Sequence, residues 1–147
     1  MTIVEFIEAR LAEDERAARA AAGQRWSWDR IDETFHVHGD AWDIATIHTG
    51  PVGDPVEVDV YAQQRDNAIH IARHDPGRVL REVAAKRAIL AEHTNDEGQC
   101  SRCLDSDGVQ WDAAGAVAYT SMWPCPTVLA LAEVYATHPD YQQTWWS

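Results

Sequence analysis

Three thiols and one imidazole are the side chains of this sequence best suited to chemistry. They follow the order His93-x6-Cys100-x2-Cys103-x21-Cys125. Two cysteines separated by two residues let both sulfurs converge on one ion from a single short turn, the usual geometry of a zinc half-site. Cys125 supplies a third thiol. It precedes a predicted helix, whose N-terminal dipole favours thiolate over thiol and so favours ligation. A tetrahedral site needs a fourth donor, for which His93 is the first choice and His138 the reserve. Four protein ligands would leave no open coordination position, so the expected role is structural zinc rather than catalysis. Two alternatives compete. The cysteines could be buried free thiols with His93 covering the last carbonyls of its own helix. They could instead form a redox dithiol, although such pairs sit at a helix start after a strand and this one lies in a polar Asp/Gly stretch.

A second cluster lies in AIHIARHDPGR, which places His70 and His74 four residues apart with Arg73 between them and Asp75 next. On a helix that spacing puts both imidazoles on one face, as a metal pair requires. Arg73, His74 and Arg78 also gather at a predicted helix start, where free amides and the dipole attract phosphate or carboxylate. His70, Arg73, His74 and Arg78 are therefore the candidate anion-binding residues. The His74-Asp75 pair is similar to that of metal-dependent phosphohydrolases, but no matching upstream His or downstream Asp accompanies it. The plainer alternative has His70 packed on a sheet, Asp75 capping a helix and the arginines solvated or paired.

These side chains need elements to position them. Thr2-Ile-Val-Glu5 is a capping box, and Ile3, Phe6, Ile7 and Leu11 follow at helical spacing, which predicts a helix over 3–22 stopped by Gly23. From Trp26 to Tyr61 the period shortens. Phe35 to His38, Trp42 to His48 and Val56 to Tyr61 are β-branched or aromatic runs, read as a small antiparallel sheet with one wet face. Asp75-Pro76 starts a second predicted helix, Asp as cap and Pro at the first position, ending near Glu92 or His93. A short strand is expected over 116–120 and a third helix over 127–137, stopped by His138-Pro139. The expected fold class is α+β: an N-terminal helix, a small antiparallel sheet and two further helices joined by a zinc-binding loop. One domain over 1–147 is expected, its zinc-stabilised part about 93–138.

The chain of 147 residues is 46% hydrophobic and 24% charged, a globular composition. Its net charge of −12 argues against general affinity for nucleic acid or an anionic membrane surface. Residues 1–50 hold five Arg against ten Asp or Glu, and residues 91–147 one Arg against eight. Only 65–90 is basic, with six Arg or Lys against three acids, read as a solvated helix face paired with acidic neighbours. An acidic mimic of nucleic acid would need its carboxylates on one face, which this scatter does not require. No apolar run approaches a membrane span, and three cysteines suit a reducing compartment, so a soluble cytoplasmic protein is expected. Trp145 and Trp146, with Trp28 or Trp42 if outward-facing, could form a surface for a protein partner.

The segments TIVEFIEARLAEDERAARAA, HIARHDPGRVLREVAAKRAILAEH, CSRC and WPCPTVLALAEVYATHPDYQQTW together resemble a family of small uncharacterised proteins of actinobacteria and their phages, classed as a domain of unknown function. The β-region resembles it least. The resemblance implies an actinobacterial or phage origin and one continuous domain, and it brings no activity or catalytic residues. The expectation is a non-enzymatic interaction or accessory protein shaped by zinc. Its rival is a metal- or anion-dependent, phosphate-directed hydrolase using His70, Arg73, His74 and Asp75.

Overall fold

A computed structural model describes residues 1–21, 23–31, 34–40, 43–47, 58–104, 110–112, 115–117 and 120–146. The architecture is α+β. Helix α1 (Ile3–Ala20) opens as the capping box requires: the Thr2 amide donates to Glu5 Oε2 at 2.7 Å, and the Glu5 amide to Thr2 Oγ1 at 3.2 Å. The Thr2 amide and then its hydroxyl hold the Glu5 carboxyl below its usual value. Three strands follow, β1 (Ser27–Ile31), β2 (Thr34–His38) and β3 (Asp43–Ile47), forming an antiparallel sheet in that order. Next come helices α2 (Val58–Arg73) and α3 (Pro76–Glu92). The C-terminal part holds β4 (Asn95–Asp96), β5 (Gln99–Leu104), β6 (Gln110–Asp112), β7 (Gly115–Val117) and β8 (Thr120–Met122). Helix α4 (Pro126–Glu133) and a single 3-10 turn over Gln143–Trp146 end the chain. No helix among the described residues is long and apolar enough to cross a membrane.

Two compact units emerge. One comprises Asp14–Glu82, the other Met1–Glu13 with Val83–Ser147. In the first, β2 alternates as a strand with one buried face should: Phe35 and Val37 point inward, and His36 and His38 lie on the other side. Phe35 and Val37 pack with Ala68 and Ala72 of α2, surrounded by Trp26, Ile44, Ala45, Ile47 and Ile71. Small residues four apart on α2 let the helix approach the sheet closely. In the other unit Ile3, Phe6, Ile7 and Leu11 of α1, Val83 and Leu90 of α3, and Val128 and Ala132 of α4 are buried. Phe6 is ringed by Trp145, His138, Tyr141 and Tyr135, with ring centroids 5.1–6.4 Å away. Arg10, the one buried charge among the described residues, lies over the Phe6 ring at 5.4 Å and pairs with Glu13 at 2.9 Å and Asp140 at 3.6 Å.

The strand expected over Val56–Tyr61 is overturned: Val58 to Tyr61 begin α2, while Val56 and Glu57 lie outside the described residues. Six residues of alternation fit either element. From Ala62 onward the run of Ala, Gln and Arg favours helix, and burial of Ala68 and Ala72 at a spacing of four fixes the choice. The strand expected at 116–120 is split between β7, which pairs with β6, and β8, which pairs with β5; residues 118 and 119 lie outside the described part. The third helix is shorter than 127–137. After Glu133 the amides of Tyr135, Ala136, His138 and Tyr141 bond carbonyls three residues back, a tightened coil that accommodates the turn before Pro139.

The α3 start follows its sequence signature. Asp75 accepts the Arg78 amide at 2.6 Å and Pro76 needs no amide partner. The Gly77 amide donates to the Gln24 carbonyl at 2.9 Å, an approach so close that a Cβ on residue 77 would sit 2.7 Å from that oxygen. Gly77→Ala is therefore expected to cost about 1–3 kcal/mol by overpacking, read as a lowered denaturant midpoint with unchanged slope. A neutral effect would mean that the Gln24 segment yields.

Candidate metal centre

Helix α3 delivers the imidazole. His93 lies one residue beyond its end, its amide still bonded to the Leu90 carbonyl at 3.2 Å. The chain then turns back through a hairpin, β4 to β5, in which Asn95 faces Cys100 and Asp96 faces Gln99. Glu97 and Gly98 take positive φ at 50° and 86°, as a two-residue turn between twisted strands demands. The Gly98 amide donates to Asn95 Oδ1 at 2.9 Å. Ser101 ties the hairpin to the helix end: its hydroxyl accepts from the Thr94 amide and hydroxyl and reaches the Glu92 carbonyl, while its amide donates to the Thr94 carbonyl. The cysteine pair thus sits on a strand, where a loop was expected.

Residues three apart on a regular strand point to opposite faces. Here β5 departs from regularity. Gln99 pairs with Met122 and Leu104 with Thr120, so β5 advances five residues while β8 advances two, with a register shift between. That excess, which contains both cysteines, lets their sulfurs face one point. Cys125 comes from the start of α4. It is the N-cap residue, with extended backbone (φ −75°, ψ 162°), yet its side chain makes no capping bond and is left for the site.

His93 Nδ1 lies 3.4 Å from Cys100 Sγ, 3.4 Å from Cys103 Sγ and 3.5 Å from Cys125 Sγ. All four donor atoms fall within 4.8 Å of one another, a group that could hold a metal ion. Cys100 and Cys125 are fully buried, and Cys103 is partly exposed. Burial pushes the Cys100 thiol up, but the backbone of Arg102 and Cys103 and the side chains of His93 and Cys125 outweigh it and bring the group to about 6. Burial also pushes Cys103 up, reinforced by hydrogen bonds and negative charge from Cys125 and Cys100, to about 11. Three thiols this close cannot all ionise unless a cation neutralises them.

The match that places this chain among known sequences runs over residues 1–147, end to end. The chain belongs to a family of unknown function, DUF6221. No curated protein matches the chain. No solved structure matches it. For this DUF6221 member the site itself therefore carries the functional argument.

His138, the reserve ligand, is engaged elsewhere. Arg10 Nη1 lies against its ring, Phe6 packs on it, and its Nδ1 accepts the Asp140 amide at 3.1 Å. The second cluster, His70, Arg73, His74 and Arg78, lines one groove together with Asp66 and Ile69. Asp75 is the α3 cap. Arg78 is occupied, with Nε donating to Glu82 at 2.6 Å and Nη1 to the Arg73 carbonyl at 3.3 Å. Sequence reasoning passed over two contributors. Ser101 was findable as a hydroxyl inside the CxxC pair, and Asp66 as an acid one helical turn before His70.

Proposed function

We propose that this protein binds one structural zinc ion through His93, Cys100, Cys103 and Cys125, and that it acts as a non-enzymatic accessory protein with a protein partner. The observation that carries the reading is the set of three nearly equal nitrogen–sulfur distances, 3.4, 3.4 and 3.5 Å. For zinc bonds of about 2.3 Å to sulfur and about 2.05 Å to nitrogen at the tetrahedral angle, that edge is about 3.6 Å. Soft thiolates with an imidazole in tetrahedral array favour zinc, and four protein donors leave no position for substrate. Free thiols at such a site suit a reducing, cytoplasmic setting.

The rival, a phosphate-directed hydrolase at His70, Arg73, His74 and Asp75, has less to work with. The amides of Gly77 and Arg78 that would grip a phosphate are bonded to Gln24 and Asp75. Elemental analysis of tag-free protein tests the proposal. One zinc per chain is expected, lost in Cys103→Ser and His93→Ala and kept in His138→Ala. Equal zinc in the wild type and Cys103→Ser would exclude this ligand set.

A further inference from the structure

We propose that His70 and His74 form a second metal site that takes an imidazole-seeking divalent transition ion. The two residues are four apart, His70 in the last turn of α2 and His74 one residue beyond its end, and helical geometry persists because the His74 amide still bonds the His70 carbonyl at 3.2 Å. They therefore share one face. The two imidazoles are exposed and adjacent, with ring centroids 4.4 Å apart. Two imidazoles bound to one ion at about 2.1 Å, at a right angle to each other, would have centroids about 4.5 Å apart. The two rings are as close as those of imidazoles that share one ion.

The surroundings favour a cation over an anion. The site is at the C-terminal end of α2, the negative end of the helix dipole. Asp66, whose Oδ1 accepts from Arg65 at 3.3 Å, lines the same groove of about 460 Å³ and adds a negative charge. Arg78, the cation expected to draw an anion there, is held by Glu82 and by the Arg73 carbonyl. Arg73 also lines the groove, but its side chain is exposed to solvent, where repulsion between charges is weakest. Two imidazoles leave most coordination positions to water, so the ion would be exchangeable, unlike the one enclosed by three sulfurs. Nickel(II) suits such nitrogen donors completed by water.

The test titrates tag-free, zinc-loaded protein with nickel(II) by calorimetry while a zinc-responsive dye reports any release from the cysteine centre. One nickel per chain is expected, with no zinc released. His70→Ala and His74→Ala should each weaken it by at least the roughly 10–100-fold that loss of a supporting partner costs at a metal site. Asp66→Asn should weaken it less. Both histidines are exposed at the helix end, so alanine leaves the fold intact, and circular dichroism checks this. Unchanged nickel binding in both histidine variants would overturn the proposal. So would nickel uptake matched by zinc release, or a groove that binds inorganic phosphate in an Arg73-dependent way and takes no nickel.

Discussion

Stripping the proposed zinc with a strong chelator, or replacing Cys125 with Ser, is expected to loosen the described residues of 93–137 before any other described part of the chain. Structural zinc contributes on the order of 10–16 kcal/mol in small peptide systems, against roughly 5–15 kcal/mol for the stability of a whole domain. Apart from the ion, the hairpin is held by the Ser101 bonds to the end of α3, the pairing of β5 with β8 and the Trp123 amide on the Gly98 carbonyl. Residues 94–99 are all exposed, and β4 contributes only two residues. Without the ion, three thiols within 4.8 Å of one another would have to bury their protons or repel. Cys125→Ser is informative because Ser is a better helix cap than Cys, so α4 gains locally while the ion is lost. Hydrogen exchange should show the amides of Ser101, Trp123 and Leu129 losing protection, while those of Phe35 and Val37 keep theirs. Equal protection with and without chelator would remove the structural role.

The second large effect is expected at Phe6. Phe6→Ala should cost about 3–5 kcal/mol, read from denaturant unfolding. Phe6 is fully buried among Trp145, His138, Tyr141 and Tyr135, and its face carries the Arg10 guanidinium. Removing the ring opens a cavity and strips a buried charge of part of its shelter. Phe6→Leu, which restores most of the volume, should recover much of the loss. A cost below about 1 kcal/mol would mean that the surrounding rings collapse into the space. Retained zinc in Phe6→Ala would separate this cluster energetically from the metal.

What was legible in the sequence followed from local chemistry. Thr2 with Glu5, and Asp75 with Pro76, mark helix starts because each side chain bonds amides within three residues. The convergence of His93, Cys100, Cys103 and Cys125 was legible because few residue types seek soft metals and such side chains at these intervals tend to gather. The hairpin was not. Its turn, Glu97-Gly98, is a weaker signal than Asn-Gly, and its strand departs from alternation because both cysteines must face the same way. Helix α2 was hidden behind the alternation of Val56, Val58 and Val60, a pattern that tertiary packing overrides through Ala68 and Ala72. His138 looked available by composition, but Arg10, distant in sequence, lies against it.

The hairpin also sets an order of assembly. His93, Cys100 and Cys103 lie within eleven consecutive residues, and the turn at Glu97-Gly98 brings Cys100 back beside the end of α3. Hairpins close in about 1–10 μs, far faster than a domain of this size finishes packing. A nascent chain would thus present a three-donor trap as soon as this stretch emerged, before α4 had been made. Cys125 would then be recruited across a loop about twice as long, at an extra entropic cost of only about 0.6 kcal/mol. Capture of the ion would precede, and template, the docking of the final helix.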